Sequence, residues 1–223
     1  MTLIEATQEG VDAIIAAGLN PDGDEGNLTL TALKKFETLL KAYFASKNYV
    51  WQDQMVIGIR MDNKYTNQFT DWGVIYDHGN IYIIPISTKP GASYQKNAAY
   101  VAEHGGCACI VPGQYLNMWS YRPKGGWSGG DPYLMQISPC TIYRDSSMGD
   151  TIDTSKTETG MFGINFHTWK GFAIQFVQNL SAGCQVMDEE YLLDIDFILQ
   201  KFLSVSYTCI EFSDFSQFTQ PNV

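Results

Sequence analysis

The chain has 223 residues, a formal net charge of −10, 45% apolar residues and 17% charged residues. That composition supports a sizeable core and excludes global disorder. The acidic balance excludes a nucleic-acid partner, which would need clustered Lys and Arg, and no apolar run is long enough to insert in a membrane.

Residues 3–17 carry Leu3, Ile4, Val11, Ile14 and Ile15 at helical spacing, and Gly18 ends the pattern before a turn cluster from Asn20 to Gly26. A second helix, opened by Thr29 or Thr31, is predicted to about residue 45 from the stripe Leu30, Leu33, Phe36, Leu39, Leu40 and Phe44. From Val50 onward the texture is that of strands. Val56–Ile59, Gly73–Tyr76 and Ile81–Ile86 read as strands, with a hairpin turn at Asp77–Asn80. Further strands are expected at 108–112, 133–137, 140–144, 162–167, 172–178 and 204–212, a Gly-rich loop from Pro123 to Gly130, and a helix over 188–203. The reading is mainly β of α+β type, with a helical segment at 1–48 and a β domain at 49–223. The high aromatic content, 13%, suits a β core.

Five cysteines (107, 109, 140, 184 and 209) and no secretory leader at Met1–Glu5 point to reduced thiols and synthesis in a cytoplasm. His104, Cys107, Cys109 and Cys140 lack a second closely spaced pair, so no metal or cofactor is expected. Asp145, Ser147, Asp150 and Asp153 lack the Glu and Gly placement of a calcium loop and read as a polar turn. Trp119 to Trp127 reads either as an aromatic lid over a ligand or as a surface loop stapled by its own rings.

The chemistry-bearing candidates are Cys184 and His167. Cys184 sits in a small-residue turn, Ser181-Ala182-Gly183-Cys184, and His167 ends an apolar run 17 residues earlier (184 − 167). A thiol with an imidazole in reach is what acyl transfer through a thioester requires. The imidazole would keep the thiol ionised, and Ser181 and Gly183 would shape the turn and its oxyanion site. Two adjacent antiparallel strands, 162–167 and 172–178, are expected to bring the pair to one end of a sheet.

The segments Gly163-Ile164-Asn165-Phe166-His167 and Ser181-Ala182-Gly183-Cys184-Gln185-Val186-Met187 resemble the catalytic core of the L,D-transpeptidase family of peptidoglycan enzymes. The ordered series Ile57-Gly58-Ile59-Arg60, Asn67-Gln68-Phe69-Thr70-Asp71, Thr88-Lys89-Pro90-Gly91, Val111-Pro112-Gly113-Gln114-Tyr115, Tyr143-Arg144-Asp145 and Thr159–His167 is similar to a phage and prophage group of wall enzymes with the same core. The resemblance covers roughly residues 56–203. It implies an L,D-transpeptidase-like β-sandwich or barrel, Cys184 as nucleophile, His167 as general base, and Arg144, Tyr115 and Asn165 on the substrate. It also implies bacterial peptidoglycan as partner, with phage virion or lysis proteins, and an endolysin-type role at the cell wall or periplasm. The rival reading is a virion or wall-binding structural protein that keeps the fold without turnover. Two positions depart from the family: Thr168 stands where a Gly follows the histidine, and Val186 where an Arg follows the cysteine by two. Arg144 is the candidate replacement for that Arg. The segment from Asp22 to Phe36 resembles part of a small helical wall-binding module, the alternative being a helical hairpin packed on the sheet.

Overall fold

The computed structural model describes residues 30–65, 67–123, 130–168 and 176–219. The predicted first helix, the turn cluster after it, the cap at Thr29, most of the Gly-rich loop and most of the predicted strand 172–178 lie outside them.

Helix α1 (Leu30–Ser46) leads into β1 (Gln54–Arg60), β2 (Asp71–Asp77) and β3 (Asn80–Ser87). His78 and Gly79 both have positive φ, 48° and 88°, as the right-handed twist of a two-residue hairpin requires. Two short helices follow, α2 (Ala92–Gln95) and α3 (Ala98–His104). Then come β4 (Cys107–Ile110), β5 (Gly113–Arg122), β6 (Tyr133–Gln136), β7 (Cys140–Asp145), β8 (Thr157–Gly160), β9 (Phe166–His167) and β10 (Gln185–Met187). The chain ends in α4 (Leu192–Leu199), β11 (Val205–Glu211) and α5 (Phe212–Thr219). Eight strands close a barrel in the order β1-β11-β5-β6-β9-β10-β3-β2, and β4-β7-β8 form a second, small sheet. The architecture is therefore β-rich and of α+β class. Among the described residues no helix is long and apolar enough to cross a membrane.

Alternation along β1 explains how the barrel is buried on both faces. Val56 joins an inner cluster with Trp119, Phe166 and Tyr207. Met55, Ile57 and Ile59 face outward, under Phe36, Leu40, Tyr43 and Phe44 of α1 and Phe215 of α5. Gly58, on the inner face, is required by close approach: a Cβ there would lie 2.1 Å from the Tyr207 hydroxyl.

One end of the barrel holds a buried knot of charge. Arg60 and Asp71 are fully buried. Arg60 donates to Thr88 Oγ1 (3.1 Å), to the Ile110 carbonyl (2.9 Å) and to Glu211 (3.0 Å). Asp71 accepts from the Thr88 N–H (2.9 Å) and hydroxyl (2.7 Å), from the Met61 N–H (3.1 Å), and pairs with buried Lys89 at 3.1 Å. Every charge there meets a partner, as burial demands. The knot fixes the loop Thr88–Gly91, whose far end supports the candidate thiol.

Three expectations are corrected. Of the predicted strand 162–167 only Phe166–His167 is a strand. Gly163 takes φ 70°, and the Gln136 side chain, not a neighbouring strand, receives the N–H groups of Phe162 (3.1 Å) and Ile164 (2.8 Å). The predicted helix 188–203 is shorter, because a 3-10 turn at Glu189–Tyr191 precedes α4. Trp119 belongs to no lid: it is fully buried inside the barrel and donates to the Ile164 carbonyl at 2.7 Å.

Candidate functional site

The turn that carries Cys184 is built locally. Ser181 Oγ accepts from the Gly183 N–H (3.0 Å) and donates to the Cys184 carbonyl (2.8 Å), an internal bracket typical of Ser at tight turns. Gly183 is obligatory by close packing, since a Cβ would lie 2.5 Å from the Ala108 carbonyl oxygen. Neighbours then fasten the bracket. The Ala108 N–H donates to the Ala182 carbonyl (3.0 Å) and the Gly91 N–H to the Ser181 carbonyl (2.8 Å). Asn67 Oδ1 accepts from Ala92 (2.9 Å) and Gln178 (2.7 Å), tying the start of α2 to the chain just before the turn.

Parallel pairing puts the thiol turn and the imidazole on neighbouring strands. Gln185 is in register with Phe166, and Val186 with His167. Paired residues point to one face, so His167 and Val186 share a face. Cys184, two residues before Val186 and packed with it and Val177, lies on that face too. The antiparallel partner expected from the sequence, 172–178, lies mostly outside the described residues; the strand described beside β9 toward the thiol turn is the parallel β10.

Both groups are neutral at rest. Cys184 Sγ donates to the Gly163 carbonyl (3.3 Å) and accepts from the Asn165 N–H (3.4 Å). Burial pushes its thiol up to about 12, the Asn165 N–H opposing this only partly. Burial pushes His167 down to about 4, against a hydrogen bond to the Thr168 carbonyl. That carbonyl can only accept, so Nδ1 carries the proton, at 3.1 Å, and the Nε2 lone pair is the basic position. Burial thus opposes the charged form of each member of the thiolate–imidazolium pair expected from the sequence. Burial likewise raises the other four thiols, to about 11 or 12, so ionisation does not single Cys184 out; its turn and its neighbours do.

The remaining predicted residues fall as follows. Asn165 contributes through its backbone, since its side-chain oxygen accepts from the Gln136 N–H at 2.9 Å. The Tyr115 hydroxyl is committed to the Val111 (2.7 Å) and Thr141 (3.1 Å) carbonyls, which makes it a tether between β5 and the small sheet. Arg144 is in register with Ala108, the residue that touches Gly183, and its guanidinium lies over the Phe162 ring at 5.2 Å. It donates to Glu158 at 3.0 and 3.2 Å. Val186 is fully buried in the apolar cluster beside Cys184. Asp145 is the hub of a polar turn, accepting from Ser147 N–H and hydroxyl, Asp153 N–H and the Tyr65 hydroxyl. Among the described residues no cluster of three or more His, Cys, Asp or Glu is placed to hold a metal.

Two residues escaped the sequence reading. Gln136 organises the whole loop before His167, and it also donates to the Ser138 (2.9 Å) and Gly160 (3.3 Å) carbonyls. Its signal was a polar residue on the inward face of β6, two after buried Leu134. Gln185 accepts from the buried Tyr207 hydroxyl at 2.6 Å and so links the barrel interior to the turn. Compared with protein-family models and with curated proteins, the chain matches none.

Proposed function

We propose that the protein processes peptidoglycan stem peptides through an acyl-thioester, as an L,D-transpeptidase-like cysteine enzyme of the phage endolysin type. The observation that carries this reading is convergence. Gly91, Ser181, Gly183 and the Asn165 N–H act on the thiol turn itself, and Asn67 and Gln136 hold the segments that lead into the turn and into the strand of His167.

The chemistry follows from the neutral pair. Cys184 attacks an amide carbonyl while its proton passes to Nε2 of His167, so base catalysis accompanies attack instead of preceding it. The oxyanion meets a backbone donor. Gly183 N–H is taken by Ser181 and the Asn165 N–H meets the sulfur, so the Cys184 amide is the donor assigned to the oxyanion. The imidazolium then protonates the departing amine. Water resolves the thioester in a hydrolase, and an amine resolves it in a transpeptidase. The endolysin-type resemblance favours water. The wall would be reached from the cytoplasm through a membrane pore, or as part of a virion.

A second reading has its own support. The apolar cluster of Val177, Cys184 and Val186 surrounds a protonated thiol where the family has an Arg, which suits a wall-binding or virion protein that keeps the fold without turnover. Incubation with purified peptidoglycan and mass analysis of the soluble fragments separates the two. The enzyme reading expects new peptide ends that disappear in Cys184→Ala. Sedimentation with the wall and no new ends supports the second reading.

A further inference from the structure

Three of the four backbone polar groups of Gly183 and Cys184 are held by side chains. The Gly183 N–H donates to Ser181 Oγ (3.0 Å), the Cys184 carbonyl accepts from the Ser181 hydroxyl (2.8 Å), and the Gly183 carbonyl accepts from Gln185 Nε2 (3.4 Å). The fourth, the Cys184 N–H, meets no acceptor among the described residues, although Cys184 is buried. Buried N–H groups are paired almost without exception, so an open one beside a thiol is a donor kept for a group that arrives.

The Gly183 carbonyl and the Cys184 N–H belong to one planar peptide unit. The unit is trans, so its C=O and N–H point in opposite directions, and whatever fixes the carbonyl also aims the N–H. Gln185 does the fixing and is itself fixed. It is fully buried, its Oε1 accepts from the Tyr207 hydroxyl at 2.6 Å, and its N–H donates to the Asn165 carbonyl at 2.8 Å. Tyr207 is fully buried too, with its ring against Trp119 (centroids 4.6 Å), and Gly58 leaves the room that its hydroxyl occupies. A braced chain thus runs from the barrel interior through Tyr207 and Gln185 to the thiol turn.

We infer that Gln185, braced by Tyr207, is a positioning residue that aims the Cys184 N–H at the oxyanion of a tetrahedral intermediate. It acts through the Gly183 carbonyl. A donor set in advance costs no reorganisation when the charge develops. The inference deepens the proposed acyl-thioester reading and rests on it for the reaction.

Two reactions of the one thiol separate this role from mere support. Iodoacetamide loses iodide to the sulfur and forms no oxyanion. p-Nitrophenyl acetate acylates through one: the S–C bond forms, the thiol proton passes to His167, and p-nitrophenolate leaves. Both are followed on the full chain, alkylation by mass analysis of the Cys184 peptide and acylation by the p-nitrophenolate release that Cys184→Ala removes. Gln185→Met should slow acylation about a hundredfold, the low end of what losing an oxyanion donor costs, and Tyr207→Phe, one bond further away, about tenfold. Alkylation should be unchanged in both. Tyr121→Phe, whose lost hydroxyl bonds Asp196 at 2.6 Å, should alter neither reaction. If far-UV circular dichroism shows Gln185→Met unfolded, Tyr207→Phe decides alone. Acylation that is unmoved, or that falls only in step with alkylation, overturns the inference. So does a wild-type Cys184 that p-nitrophenyl acetate does not acylate. The expected falls with peptidoglycan left intact keep the positioning role and sink the wall-processing reading instead.

Discussion

The buried charge knot and the thiol turn are built on the same loop and behave in opposite ways. Thr88 and Lys89 satisfy Asp71, and Gly91, two residues on, supports Ser181. In the knot, Arg60, Lys89 and Asp71 lie out of water and still meet opposite charge and hydrogen bonds. At the thiol turn, Cys184 and His167 are just as buried, and there burial pushes the thiol up and the imidazole down, away from their charged forms. Burial alone thus does not decide ionisation; the partners supplied with it do. The knot keeps its charges by pairing them, and the thiol turn is left without charge by burial.

That contrast can be broken from either side. The largest effect is expected from Cys184→Ala, which should abolish peptide release by a factor of about a thousand or more while leaving the urea midpoint nearly unmoved. Asp71→Asn should do the reverse in kind. It leaves Lys89 and Arg60 short of a counter-charge and should cost about 3–5 kcal/mol in urea unfolding. The pH dependence sharpens the neutral side. His167 titrates near 6.5 when unfolded and about 4 when folded, so the unfolded chain binds the extra proton between those values. Stability should therefore be complete above pH 6.5 and fall as pH drops toward 4, by about 3 kcal/mol in all, with the fall removed in His167→Gln. The smallest effect is expected from Gly183→Ala. The new methyl meets the Ala108 carbonyl and should cost about 1–3 kcal/mol by thermal unfolding, with the thiol displaced.

What could be read from the sequence was whatever is decided within a few residues. The β1, β2 and β3 alternation, the two-residue turn at His78-Gly79 and the stripe of α1 are all local, and they match the strands and helix observed. The thiol turn was legible for the same reason, because Ser181 and Gly183 act on Cys184 over two or three residues. Strand β5 was hidden by an irregularity. Asn117 takes φ 51°, and the register against β11 shifts between Val205 and Tyr207, which erases the alternation. The strand expected at 162–167 failed because a distant side chain, Gln136, took over the hydrogen bonds of a neighbour strand. The convergence of Arg60, Asp71 and Thr88 was invisible as such; they stood in the sequence only as separate members of an ordered series. The charge state of the thiol was beyond reach, because the burial that sets it comes from residues far apart in the chain.

The barrel closes through β9, a strand of two residues joined to β6 by one register pair and to β10 by two. A hydrogen-bonded ring parts first at its shortest link, and this link carries His167 and adjoins Cys184. Opening at that seam would expose the thiol turn while β1, β2, β3 and β11 stay zipped. The place where the cylinder is most weakly sewn is thus the one that carries the candidate histidine.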